Sequence, residues 1–178
     1  MSIMRFFRFM EGSDRRADTG AETETVRKIV QALDRLEPER ARFLAAFAYL
    51  LGRVASADLK ISDDEVQVIE RLIVERCHLE PAQAILVVQM AKTQNLLFGG
   101  TENYLVAREF NQIATHEQRL GLLECLFAVA AADSSISVVE DNEVRRISNE
   151  LRLTHEEFIQ ARSGYRDYLA VLRTRRPD

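Results

Sequence analysis

Four carboxylates stand at two matching places in this chain. Asp58 and Glu65 lie in Val54-Ala55-Ser56-Ala57-Asp58-Leu59-Lys60-Ile61-Ser62-Asp63-Asp64-Glu65. Asp133 and Glu140 lie in Val129-Ala130-Ala131-Ala132-Asp133-Ser134-Ser135-Ile136-Ser137-Val138-Val139-Glu140. The register is constant, 133 − 58 and 140 − 65 both being 75. Val, Ala, Asp, Ile, Ser and Glu recur in step, and the chain has no low-complexity bias that would match them by chance. Acids repeated in this way invite a binding site. They also do plainer chemistry. Ser62-x-x-Glu65 and Ser137-x-x-Glu140 fit the capping box, in which the Ser oxygen accepts from the N3 backbone N–H and the Glu reaches back to the N-cap N–H. Helix initiation therefore accounts for one Ser and one Glu in each copy. It leaves Asp58 and Asp133 without a role, although an Asp in a turn often bonds its own backbone.

To hold these residues, an apolar helix must run into each Asp. A short turn then buries one Ile, and a Ser starts the next helix. This reads as an internal duplication of a helix-turn-helix hairpin. In the first copy Pro38 suits the opening of a helix, where a missing N–H costs nothing. The run Phe43 to Leu51 is apolar nearly all round, so the helix from Arg40 to Ala57 should be central. Gly52 and Arg53 interrupt that run, which cannot span a bilayer. The helix opened by Ser62 should face inward with Val66, Ile69, Leu72 and Ile73 and stop near Cys77 or His78. Leu79-Glu80-Pro81 marks a turn, and Pro81 starts a helix through Ala84, Ile85 and Val88. Gly99-Gly100 reads as a helix stop, since neither a P-loop nor G-x-G-x-x-G surrounds it. A connecting helix over 101–114 offers Tyr104, Leu105, Phe110 and Ile113 for packing.

The second copy opens at Thr115-x-x-Gln118, again box-like. Leu120, Leu122, Leu123, Leu126, Phe127 and Val129 make a second central helix, and Val144, Ile147 and Leu151 follow Glu140 at helical spacing. Leu153 parallels Leu79, with 153 − 79 one short of the earlier register. Thr154-x-x-Glu157 opens a last helix carrying Phe158, Ile159, Tyr165, Leu169 and Leu172. Ahead of both copies, Val26, Ile29, Val30, Leu33 and Leu36 predict one more helix that packs a single face. The expected fold is all-α: about seven core helices in two pseudo-symmetric halves, plus an extra N-terminal helix. The domain runs over 23–178, with the copies at about 38–97 and 115–172.

Composition narrows the function. A net charge of −4 over 178 residues argues against a nucleic-acid-binding module. Trp is absent, and 7 Gly and 3 Pro favour long helices. Cys77 and Cys125 show no C-x-x-C pairing and read as buried thiols of a cytoplasmic protein. His78, His116 and His155 fall near helix ends with no nucleophile motif beside them, so an enzyme is not expected. Residues 1–22 read as a flexible segment with a short Phe/Arg start. Ile3, Phe6, Phe7 and Met10 share one side at helical spacing, with Arg5 and Arg8 elsewhere. That pattern suits a membrane-surface or partner-binding anchor. A frayed tail, or a flap on the protein's own core, is the plainer reading.

The motifs Ala57-Asp58-x-x-Ile61-Ser62-x-x-Glu65, Ala132-Asp133-x-x-Ile136-Ser137-x-x-Glu140 and Leu153-Thr154-x-x-Glu157-Phe158 resemble those of the TerB family. This is the tellurite-resistance-associated helical domain, also found at the front of a membrane-anchored co-chaperone. The resemblance covers roughly 38–172. It implies an all-helical module in bacterial stress response, cytoplasmic or peripheral to the inner membrane, acting through another protein. It also implies a divalent cation, Ca or Mg, held by Asp58, Glu65, Asp133 and Glu140. The alternative is a structural scaffold or co-chaperone-like interaction domain with no metal site. The family usually carries Gly after each Asp, where this chain has Leu59 and Ser134. Only Gly enters φ > 0 freely, so a looser turn is expected here. The D-x-D-x-D-G ladder of an EF-hand is missing.

Overall fold

The structure, a computed structural model, describes residues 20–55, 63–92, 103–132 and 134–170. Eight α-helices account for nearly all of them. They are α1 (Gly20–Asp34), α2 (Pro38–Ala55), α3 (Asp63–Cys77), α4 (Pro81–Lys92), α5 (Asn103–Ile113), α6 (His116–Ala130), α7 (Val138–Glu150) and α8 (His155–Ser163). Among the described residues there is no strand. This is the all-α class read from the sequence, with α1 as the additional N-terminal helix. It starts at Gly20, slightly inside the stretch read as a linker.

Two helices organise the packing. Every residue from Phe43 to Leu51 is buried, as an all-round apolar helix requires. Accordingly α2 packs against α1, α4, α5, α6 and α7. Its counterpart α6 buries Leu122, Leu123, Cys125, Leu126, Phe127 and Val129 and packs against α2, α3, α7 and α8. On the α2 side Phe43, Phe47 and Phe110 form an aromatic cluster, with Phe43 stacked on Phe110 at 5.2 Å. On the α6 side Phe127 meets both Phe158 and Tyr165 at 5.6 Å. Such ring pairs add roughly 0.5–1.5 kcal/mol each beyond the area they bury.

Helix ends follow local chemistry. Thr115, Ser137 and Thr154 each close a full capping box, with Gln118, Glu140 and Glu157 as the returning side chains. At the other ends, His78 (φ 51°) and Arg152 (φ 57°) take the left-handed conformation that stops α3 and α7. After Arg152 the Leu153 N–H donates to the Ser148 carbonyl at 3.1 Å, the six-to-one bond of a Schellman turn. Leu79 and Leu153, the next residues, are both buried. The one-residue change of register therefore falls inside α3 and α7, between the Ser before each helix and the left-handed residue after it.

The last helix is shorter than its spacing suggested. α8 stops at Ser163, a 3-10 turn spans Arg166–Tyr168, and Ile159 is exposed. Leu169 is buried, but as part of a strap: it forms a parallel β-bridge with Ile136. The Ile136 N–H donates to the Tyr168 carbonyl at 2.7 Å, and the Ala170 N–H donates to the Ile136 carbonyl at 3.0 Å. An extended segment satisfies those backbone groups where a helix would have satisfied only its own. No helix among the described residues is long and apolar enough to cross a membrane. The anchor reading of residues 3–10 lies outside the described residues.

Candidate functional site

The second acidic turn is built by the end of α6, the start of α7 and the C-terminal strap. Ala131 caps α6, and the Ser134 N–H returns to the Ala131 carbonyl at 2.9 Å. Ser134 sits at φ 67°, the left-handed region. The looser turn expected from the missing Gly is therefore corrected here. Serine accepts the conformation, because the bridge at Ile136 and the cap at Ser137 hold the chain on its far side. Ile136 is buried, as the repeat predicted.

Ser137 then opens α7. Its Oγ accepts from the Glu140 N–H at 3.2 Å, and the Ser137 N–H donates to Glu140 Oε2 at 2.8 Å. The capping expected of this pair is thus present. It employs only one carboxylate oxygen. Glu140 is 4% exposed, and its Oε1 is buried with no hydrogen-bond partner among the described residues. The neighbouring acid is in a different state: Asp141 holds Arg162 through two bonds of 2.8 Å, which raise the Arg162 pKa. Val138 and Val139, in the same first turn, face solvent.

Of the four acids singled out, Glu140 is the one whose surroundings are described. Asp58 and Asp133 lie outside the described residues, as does the Glu65 side chain, although Glu65 belongs to α3. Among the described residues no three His, Cys, Asp or Glu side chains gather as a metal set.

Sequence reasoning missed an ion triad that joins a buried Arg53 to two half-buried glutamates. Arg53, read as an interruption of an apolar run, lies within α2 and is 7% exposed. It donates to Glu143 from Nε at 2.9 Å and to Glu150 from Nη1 at 2.6 Å. Burial alone would lower the Arg53 pKa, but bonds and charges from Glu150 and Glu143 hold it above its ordinary value. The available signal was the spacing of the acids. Residues two helical turns apart share a face, so Glu143 and Glu150 could meet one cation. Nothing local says which cation.

The histidines lie at helix ends, as expected. His116 Nε2 is 2.6 Å from Glu157 Oε1, and His78 Nε2 is 3.5 Å from Glu117 Oε1. The Glu157 carboxyl is held below its usual range, first by the Thr154 N–H, then by the Thr154 hydroxyl and by His116. The His116 pair adds to the capping box of α8, whereas the His78 pair joins the end of α3 to the first turn of α6.

Compared with known proteins, the chain matches one family model, described as Tellurite resistance protein TerB, over residues 43–163. That is more than half of the sequence, and it spans both acidic turns. No curated protein and no solved structure matches.

Proposed function

This chain belongs to the TerB family, and we propose that it is a non-catalytic helical module of the stress response, of tellurite-resistance type. In this reading Asp58, Glu65, Asp133 and Glu140 hold one divalent cation, Ca or Mg. The bound cation tunes contact with another protein. The module works in the cytoplasm or at the inner membrane, with residues 3–10 as a peripheral anchor. Nucleic acid is not a partner.

One observation carries the metal reading: the buried, unpartnered Oε1 of Glu140. A buried polar atom without a partner costs about 1–3 kcal/mol, and a charged one more. A hard cation would offset that cost, and both Ca and Mg take oxygen ligands of this kind. Asp133 lies seven residues before Glu140 in the turn that feeds α7, and Asp58 and Glu65 are their counterparts in the first copy. Acids brought together without a cation repel one another, so a bound cation would stabilise the fold.

The test is thermal melting in a Ca or Mg series against NaCl of matched ionic strength. The wild type should gain stability, by linkage worth about 2.7 kcal/mol at a hundredfold excess over the dissociation constant. In Glu65→Gln with Glu140→Gln the gain should shrink or vanish. Gln still serves a capping box, so the helices should still start. A flat wild-type response would end the metal reading. The second reading, a scaffold with no metal, has its own support in the closed Ser137–Glu140 box, which employs Glu140 without a cation.

A further inference from the structure

The two cysteines, 48 positions apart in the chain (125 − 77), meet in the core. Cys77 is the last residue of α3, and Cys125 is in the middle of α6. Both are free and buried, and the Cys77 thiol lies near enough to Cys125 to raise that thiol's pKa. Gly121, one helical turn before Cys125, makes the contact possible. A Cβ built there would lie 2.7 Å from the Arg76 carbonyl oxygen and 2.8 Å from Cys77 Sγ. The end of α3 thus rests in a notch on α6, with one thiol from each helix facing the other across it.

Position in the fold separates the two thiols in reactivity, Cys77 closing a helix and Cys125 lying within one. Cys125 is enclosed by α6 and its neighbours, and its pKa is pushed well up, first by the adjacent Cys77 thiol and then by burial. Cys77 turns inward from the chain's surface: Arg76 before it and His78 after it are both exposed. The three residues that follow α3 are irregular, and His78 holds a left-handed conformation. Terminal turns open at far lower free energy than a protein's core. Unwinding the last turn of α3 would bring Cys77 to solvent while Cys125 stays inside.

We propose that Cys77 and Cys125 are a redox-sensitive staple that a peroxide closes, locking the end of α3 onto α6. When the last turn of α3 opens, the Cys77 thiolate attacks one peroxide oxygen. An S–O bond forms, the O–O bond breaks, and the departing hydroxide leaves as water with one proton. On reclosure Cys125 sulfur, having given up its proton, attacks the Cys77 sulfur. The S–S bond forms, the S–O bond breaks, and a second water leaves. Two thiols have lost two electrons, and the peroxide has become two waters. Cytoplasmic disulfides of this kind are transient and redox-sensing more often than structural.

The experiment treats the folded full-length protein with graded hydrogen peroxide, blocks remaining thiols by alkylation, and reads intact mass and a non-reducing peptide map. The expected product is a monomer lighter by two hydrogens, with no alkylated cysteine and one peptide joining Cys77 to Cys125. It should revert with dithiothreitol and melt several degrees higher than the reduced form. These are the chain's only cysteines, so the assignment is unambiguous. Three outcomes overturn the proposal: an unchanged mass at a peroxide dose that consumes free glutathione, oxygen added to Cys77 without a cross-link, or a disulfide between two chains.

Discussion

Ser134 shows how one residue can break a local rule and still hold its place. At φ 67° it occupies a region that costs an L-residue roughly 1–2 kcal/mol. Glycine would remove that cost but would enlarge the unfolded ensemble, giving back about 0.4–1 kcal/mol. Ser134→Gly should therefore be neutral or stabilising by up to about 1 kcal/mol. Ser134→Val should destabilise by more than about 1 kcal/mol, because a β-branched residue at positive φ is a true outlier. Urea midpoints at an unchanged m-value measure both. A Val variant as stable as the wild type would mean that the turn relaxes out of the left-handed region without loss. The sequence could not display this conformation, since propensity alone pointed to a looser turn. What overrides it is tertiary: the Ile136–Leu169 bridge reaches in from a segment more than thirty residues away (169 − 136).

At the scale of elements, the helices were legible and their meeting points were not. Periodicity found the helices because each buries one face or, in α2, all of them. The boxes at Thr115, Ser137 and Thr154 could be read because both partners sit within four residues of one another. The overlong last helix was a failure of the same method: Leu169 is apolar and buried, but periodicity cannot tell a strap from a helix. Gly121 was silent for another reason. A glycine inside a helix is a cost of about 1 kcal/mol relative to Ala, and only the approach of α3 explains it. Gly121→Ala should thus destabilise in spite of its better propensity, by a net of up to about 2 kcal/mol. Overpacking against backbone typically costs 1–3 kcal/mol, and here one of the obstructing atoms is the Arg76 carbonyl oxygen. Gly164→Ala is the control. Its added Cβ would meet only the Ala161 carbonyl oxygen, at an ordinary 3.5 Å, so it should be neutral or slightly stabilising. Equal losses at both glycines would show that the notch on α6 is not tight.

Across the whole molecule, α2 and α7 are joined by charge as well as by apolar packing. In the sequence α2 precedes the segment that carries Asp58 and α7 follows the one that carries Asp133, and Arg53 ties α2 to Glu143 and Glu150 of α7. The half of the candidate site that could be read from sequence was its set of acids. The half that could not was this link, because pairings 90 and 97 residues apart leave no local pattern. Buried ion pairs seldom add net stability, yet breaking one from a single side is costly, about 3–5 kcal/mol when both partners are enclosed. Here the guanidinium is enclosed and the two carboxylates are partly open to water, so Arg53→Met should cost less than that range, about 2–3 kcal/mol. For a domain of this size the melting temperature should fall by roughly 4–12 °C. Adding Glu143→Gln and Glu150→Gln to Arg53→Met removes the stranded charges and should recover most of the loss. That recovery separates a charge link from simple packing. If Arg53 acted only through its aliphatic stem, which Met largely replaces, the single variant would fall by less than about 1 kcal/mol and the triple variant would bring no recovery. If the link also sets the spacing of the two turns, Arg53→Met should weaken the cation-dependent rise in melting temperature, and the triple variant should not restore it.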